Sequence, residues 1–240
     1  MLDIRIFNTP EELYSEAAAI FLTTRTAAQQ SQGPFKLALS GGRTPLPLYL
    51  RLAGNLKDDS LDWKKIHFFW GDERAVGPDH PDSNYGKAFQ ALLKIRGVPL
   101  ANIHRLKGDL QPEIAAKKYE QDLLNWFGVV PPRFDLILLG LGDDGHTASL
   151  FSGTKLEEDA WVNAVHVPEL ESWRITFTPR LINAASRILF LVVGAEKARV
   201  LNKVLNGPHQ PETCPAQLVQ PENGELIWLI DRDAAAELDS

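Results

Sequence analysis

The feature that most constrains this chain is a repeated alternation. Short apolar segments end in turns rich in glycine or charge, and each is followed by a helical stretch. Residues 3–7, 36–39, 66–70, 134–139, 175–178, 187–193 and 226–230 read as strands. Helical patterns fall at 10–30, 45–52, 84–95, 112–127, 179–185 and 195–206, with a terminal helical turn at 234–238. Thr9-Pro10-Glu11-Glu12 opens the first helix, with threonine at the cap and proline at the first helical position. Such alternation implies an α/β fold with a largely parallel sheet flanked by helices. A chain of 240 residues suits one domain, taken as 1–240, and needs no disulfide or metal staple. Residues 207–221 are proline-rich but too short for a linker. Residues 153–172 read as a long irregular region, of the kind that is functional or mobile.

The formal net charge is −6, from 25 Lys and Arg against 31 Asp and Glu, and no basic run or stripe occurs. Nucleic acid is therefore not an expected partner. No apolar stretch approaches the roughly 18 residues of a membrane span, and the first residues lack a signal-peptide layout. The single cysteine, Cys214, allows no intramolecular disulfide and fits a reducing compartment. The expectation is a soluble, cytoplasmic protein.

An acidic chain binds an anion only through local donors, so the turns after the strands matter most. Ser40-Gly41-Gly42-Arg43-Thr44-Pro45 is either an ordinary strand-to-helix turn or a phosphate cradle of backbone N–H groups and side-chain donors. It matches neither the nucleotide P-loop nor Gly-x-Gly-x-x-Gly, so no nucleotide cofactor is indicated. Gly71-Asp72-Glu73-Arg74 is either a solvated loop or part of a site, and Arg74 offers a planar donor fork. In Asp82-Ser83-Asn84-Tyr85, Ser83 or Asp82 suits a helix cap. Lys197 is expected in the first turn of a helix, where the dipole disfavours a cation and a bound anion would offset that cost. The alternative is a solvated surface lysine. Arg174 either faces substrate or pairs with a carboxylate. His67, His80, His104, His166 and His209 lack metal-ligand spacing, and no metal is expected.

The densest cluster is Gly140-Leu141-Gly142-Asp143-Asp144-Gly145-His146-Thr147-Ala148-Ser149-Leu150-Phe151, directly after the strand at 134–139. Ligands bind past the carboxyl ends of strands in open α/β sheets. A histidine beside carboxylates on a loop that can approach a substrate suits proton transfer, because histidine's ordinary pKa, about 6.5, leaves it mostly neutral near pH 7. The alternative is a glycine-rich turn with a solvated aspartate pair.

These four segments, in this order, resemble the 6-phosphogluconolactonases of the glucosamine-6-phosphate isomerase/6-phosphogluconolactonase family. Pro215-Ala216, Trp228 and residues 231–235 also fit, so the resemblance spans nearly the whole chain. It implies a single modified Rossmann-like domain without a cofactor. The implied reaction is hydrolysis of 6-phospho-D-glucono-1,5-lactone to 6-phospho-D-gluconate, the second step of the oxidative pentose phosphate pathway. By this resemblance Ser40, Gly41, Gly42, Arg43, Thr44 and Lys197 hold the substrate phosphate and Arg74 assists. Asp72 and Arg174 are further substrate-binding candidates. His146 is the general base, supported by Asp144, and backbone N–H groups of a glycine loop hold the oxyanion. The implied partner is a small phosphosugar lactone, and a monomer is the favoured state. The related deaminases continue Asp-Gly-His with Ile-Ala-Phe-Asn-Glu. Phe151 stands at the position of their glutamate, which favours hydrolysis over ring-opening and isomerisation. Ser152 departs from the lactonases' Leu-Phe-Pro-Gly, although serine before Gly153 still permits a turn.

Overall fold

In the computed structural model, which describes residues 2–30, 33–54 and 61–238, the apolar runs form strands, those inside the sheet buried on both faces and the edge strand at Leu2–Phe7 partly exposed. The strands are β1 (Leu2–Phe7), β2 (Phe35–Leu39), β3 (Ile66–Trp70), β4 (Asp72–Arg74), β5 (Leu136–Gly140), β6 (Val162–Val167), β7 (Ser172–Phe177), β8 (Arg187–Val192) and β9 (Glu225–Asp231). The α-helices are α1 (Pro10–Gln30), α2 (Leu46–Gly54), α3 (Asn84–Ala88), α4 (Pro112–Phe127), α5 (Pro179–Asn183) and α6 (Ala198–Asn206). Capping explains where α1 begins. Thr9 Oγ1 accepts from the Glu12 N–H, and the Glu12 carboxylate reaches back to the Asn8 N–H.

Six strands form one wholly parallel sheet in the order β1-β9-β8-β5-β2-β3. Alternate residues feed two cores. Leu37, Phe68, Leu138, Leu189 and Leu229 pack with Leu13, Phe21 and Leu52 of α1 and α2. Ala38, Phe69, Ile137, Phe190 and Trp228 pack with Tyr119, Leu181 and Leu201 of α4, α5 and α6. Each buried Leu or Phe contributes about 1.5–3 kcal/mol relative to exposure. The predicted parallel sheet with helices on both faces is therefore present. Within the second core, His67 Nδ1 and His104 Nε2 lie 2.8 Å apart, and the His104 ring stacks on Phe69.

The sequence reading did not anticipate a second, three-stranded antiparallel sheet in the order β4-β7-β6. It corrects the irregular region expected at 153–172. Residues 162–167 are strand β6, which pairs with β7 from Val162 against Phe177 to Val167 against Ser172. It also corrects the solvated-loop alternative for Gly71-Asp72-Glu73-Arg74, because that segment continues into β4. Glu73 is 1% exposed. Its carboxylate accepts from the backbone N–H groups of Arg74, Asn84 and Tyr85 and from Ser83 Oγ. Burial pushes its pKa up, and the three backbone donors oppose that shift. Ser83 caps α3 as expected, its Oγ accepting from the Gly86 N–H. The helix expected over 84–95 divides into α3 and a wider π turn at Phe89–Leu93. Gly153 makes its turn at φ 71°, and Ser152 Oγ ties it to the Glu212 carbonyl.

Candidate active site

Because β2, β3, β5 and β8 run parallel, their carboxyl ends open on one edge of the sheet, and the segments that follow them meet there. They line a cleft of about 570 Å³. Ser40, Gly41, Gly42, Arg43 and Thr44 come from the β2–α2 turn, and Asp72 and Arg74 from β4. Gly142, Asp143 and His146 follow β5, and Lys197 precedes α6. Nine of the eleven residues singled out in the sequence therefore share one concave surface. The other two are outside that lining. Asp144 supports His146, while Arg174 sits opposite Arg74 in the β4–β7 pairing and donates to Ser172 Oγ. Burial, and then the neighbouring Arg74 charge, lower the Arg174 pKa.

The β2–α2 turn is shaped for an anion. Gly42 has φ 86°, a left-handed conformation that glycine adopts without strain. None of the backbone N–H groups of Gly41, Gly42, Arg43 and Thr44 meets a described acceptor. Tyr49 braces the turn, its hydroxyl donating to the Ser40 carbonyl and accepting from the Ser40 N–H. Gly41 cannot carry a side chain here, because a Cβ would lie 1.9 Å from Asn84 Oδ1. The Asn84 amide nitrogen donates to the Asp72 carbonyl and to Asp72 Oδ1, and Ser149 Oγ donates to Asp72 Oδ2. Asp72 is thus a buried, oriented carboxylate in the floor of the cleft. Arg74 donates from Nη1 to the Asp82 carbonyl and keeps a buried Nε without a partner.

The loop after β5 is a closed turn. The Gly142 N–H donates to the His146 carbonyl, the Gly145 N–H to the Gly142 carbonyl, and Thr147 Oγ1 to the Gly140 carbonyl. The amides of Gly142 and Gly145 are thereby occupied, whereas those of Gly41 and Gly42 in the other glycine turn meet no described acceptor. His146 Nδ1 lies 2.6 Å from Asp144 Oδ1, which also accepts from the His146 backbone N–H. Burial opposes ionisation of Asp144, but its contacts with His146 prevail and hold its pKa below the ordinary value. With Nδ1 committed to a carboxylate, Nε2 has no partner among the described residues and is the nitrogen available to a substrate. Phe151 packs on the imidazole at 4.2 Å between centroids, so the position read against the deaminases' glutamate carries an aromatic brace for His146.

Lys197 closes the 3-10 turn Ala195–Lys197 that runs into α6, so it lies in the first helical turn as expected, and its ammonium is ion-paired with Asp143. The cost expected for a cation at that helix end is met by a neighbouring carboxylate. Asp143, Asn84, Tyr14 and Glu196 also line the cleft and were not singled out as site residues. Nothing in the local sequence relates Asp143 to Lys197, which lie 54 positions apart. Cys214 backs the loop from behind, with its Sγ 2.8 Å from where a Cβ on Gly145 would stand. Among the described residues, no three His, Cys, Asp or Glu side chains gather as a metal site, and no helix is long and apolar enough to cross a membrane.

The family model described as glucosamine-6-phosphate isomerases/6-phosphogluconolactonase matches residues 8–228. The chain is 43% identical over 232 residues to a 6-phosphogluconolactonase of Nostoc sp., covering 94% of each. It is 45% identical over 234 residues to one of Synechocystis sp., covering 95% of each. Among solved structures, 6-phosphogluconolactonase from Trypanosoma cruzi superposes with a TM-score of 0.87 at 30% identity, over 100% of this chain and 98% of that one.

Proposed function

This chain belongs to the glucosamine-6-phosphate isomerase/6-phosphogluconolactonase family, and we propose that it hydrolyses 6-phospho-D-glucono-1,5-lactone to 6-phospho-D-gluconate in the oxidative pentose phosphate pathway. The observation that carries this reading is one shared cleft. A carboxylate-oriented imidazole at His146 faces the same space as the unpaired amides of Gly41–Thr44 and the cations Arg43, Arg74 and Lys197.

The phosphoryl group sits at the amides of the β2–α2 turn with Arg43 and Lys197, and Arg74 assists. Anchoring one end of the substrate limits the poses its ring carbonyl can take, which is a gain in positioning. Nε2 of His146 takes a proton from water as that water attacks C1. Asp144 keeps Nδ1 protonated and stabilises the imidazolium that forms. When the bond from C1 to the ring oxygen breaks, His146 returns the proton to that oxygen. Asp72 is oriented to receive a sugar hydroxyl, and Arg174 acts indirectly, through Arg74. The single cysteine and net charge of −6 support a cytoplasmic enzyme whose partner is a free phosphosugar lactone, not nucleic acid or membrane.

The test uses freshly generated lactone, with acid release followed at a pH where spontaneous hydrolysis is slow. His146→Ala lowers kcat by about 10²- to 10⁴-fold with 6-phosphogluconate affinity nearly unchanged; wild-type turnover in that variant removes histidine from the mechanism. Arg43→Ala acts mainly on KM, since the phosphoryl contact is shared by ground and transition states. Glucosamine 6-phosphate releases no ammonia.

A further inference from the structure

Lys197 and Asp143 form an uneven pair. The lysine side chain is 16% exposed and the aspartate side chain 78% exposed. The cation is therefore held in the wall of the cleft, while the carboxylate that meets it stands mostly in water. The other acids of the cleft are placed differently. Asp72 is buried and committed to Ser149 and Asn84, and Glu196 makes no ion pair among the described residues. Arg43 likewise has no ion-pair partner among the described residues, and Arg74 contacts only a backbone carbonyl. Of the three cleft cations, only Lys197 is therefore neutralised before a ligand arrives.

We propose that Asp143 tunes ligand affinity: its carboxylate occupies Lys197 in place of the phosphoryl group and is displaced when a phosphorylated ligand binds. This inference rests on the phosphoryl reading of Lys197. Displacement is cheap because Asp143 is already largely hydrated, so the carboxylate moves into water without a desolvation cost. A neutral sugar lactone leaves the pair intact, so the cost of opening it falls on phosphorylated ligands alone. The same carboxylate returns to Lys197 as the phosphorylated product leaves. Asp143 thus lowers affinity for substrate and product together, and keeps the cleft from being held by its own product. It also precedes Asp144, the residue that orients His146, so exchange at Lys197 is felt on the loop that carries the imidazole.

An ion pair this open is worth roughly 0.2–1 kcal/mol, equivalent to about 1.4- to 5-fold in affinity. The probes are inorganic phosphate and 6-phosphogluconate, titrated calorimetrically against wild type, Asp143→Asn, Asp143→Glu, Lys197→Met and the Asp143→Asn/Lys197→Met double variant. Asp143→Asn tightens both probes and lowers KM by about 1.4- to 5-fold. Asp143→Glu, which keeps the charge, stays within the wild-type range. In the Lys197→Met background the gain from Asp143→Asn disappears. Unchanged or weakened phosphate binding in Asp143→Asn, while Lys197→Met weakens it, overturns the role of Asp143 and leaves the phosphoryl site standing. Phosphate binding unaffected by Lys197→Met overturns both.

Discussion

Gly142→Ala tests whether the position of the imidazole, beyond its presence, sets the rate. Gly142 does not have a positive φ, so its backbone accepts alanine, and its N–H bond to the His146 carbonyl survives the change. The new methyl, however, would lie 2.1 Å from His146 Nδ1 and 2.2 Å from Cε1. Ordinary contact begins at 3.4 Å, so the ring must retreat by at least about 1.3 Å. That motion takes Nδ1 away from Asp144 and moves Nε2 in the cleft. A misplacement of about 1 Å costs on the order of 10²-fold in rate. The imidazole is a side chain that can turn toward solvent, so folding stability falls by about 1 kcal/mol or less. Steady-state kinetics on fresh lactone, with a urea melt alongside, separate the two effects. The expected result is kcat lower by about 10²-fold, an intact fold, and phosphate affinity close to wild type. Wild-type kcat in a folded Gly142→Ala protein would refute the assignment of His146 as the base in this geometry.

Asp144→Asn replaces the carboxylate that holds the Nδ1 proton with a neutral amide that no longer fixes the tautomer or stabilises the imidazolium, and kcat falls by about 10²- to 10⁴-fold in the same assay, with little change in unfolding midpoint. Gly41→Ala drives a methyl into the Asn84 amide; it destabilises by about 1–3 kcal/mol in a denaturant melt and raises KM. Glu73→Ala strands four donors around a buried site and lowers stability by about 2–4 kcal/mol, read from the same melt. Burial, and then the facing His67, depress the His104 pKa to about 4, and burial lowers that of His67. Both rings bind protons more weakly folded than unfolded. Stability is therefore complete above about pH 6.5 and is lost as pH falls toward 4, by about 1–2 kcal/mol once solvent screening of these half-buried rings is allowed for. Urea midpoints across that window measure the loss, and His104→Phe flattens the pH dependence between 6.5 and 5.

The inner strands of the parallel sheet were legible because both of their faces are buried, so they read as continuous apolar runs such as Leu136–Gly140 and Arg187–Val192. Helix starts were legible where a cap stood beside a proline, as at Thr9-Pro10. The small antiparallel sheet was not. β6 contains Asn163 and the exposed His166, so its apolar residues, Val162, Val165 and Val167, look like scattered loop positions. β4 is three charged residues, and only the distant donors Ser83, Asn84 and Tyr85 explain why Glu73 is buried. Within the cleft, motifs adjacent in sequence were readable. Contacts between them, such as Asp143 with Lys197 or Asn84 with Gly41, depend on which strand ends the topology brings side by side.

The strand order has a consequence for how such a chain is made. β1, the first strand, is hydrogen-bonded in the sheet only to β9, the last, and β9 in turn is its sole link to β8. While residues up to about 224 are emerging from a ribosome, the backbone of Leu2–Phe7 has no strand to pair with. Closure of the sheet therefore waits for the tail of the polypeptide, a very non-local pairing of the kind that slows folding and leaves apolar edges open to other chains in the interval. Loss of residues 225–231 by premature termination would leave β1 without a pairing partner and β8 with an open edge, even though every cleft-lining side chain had already been synthesised.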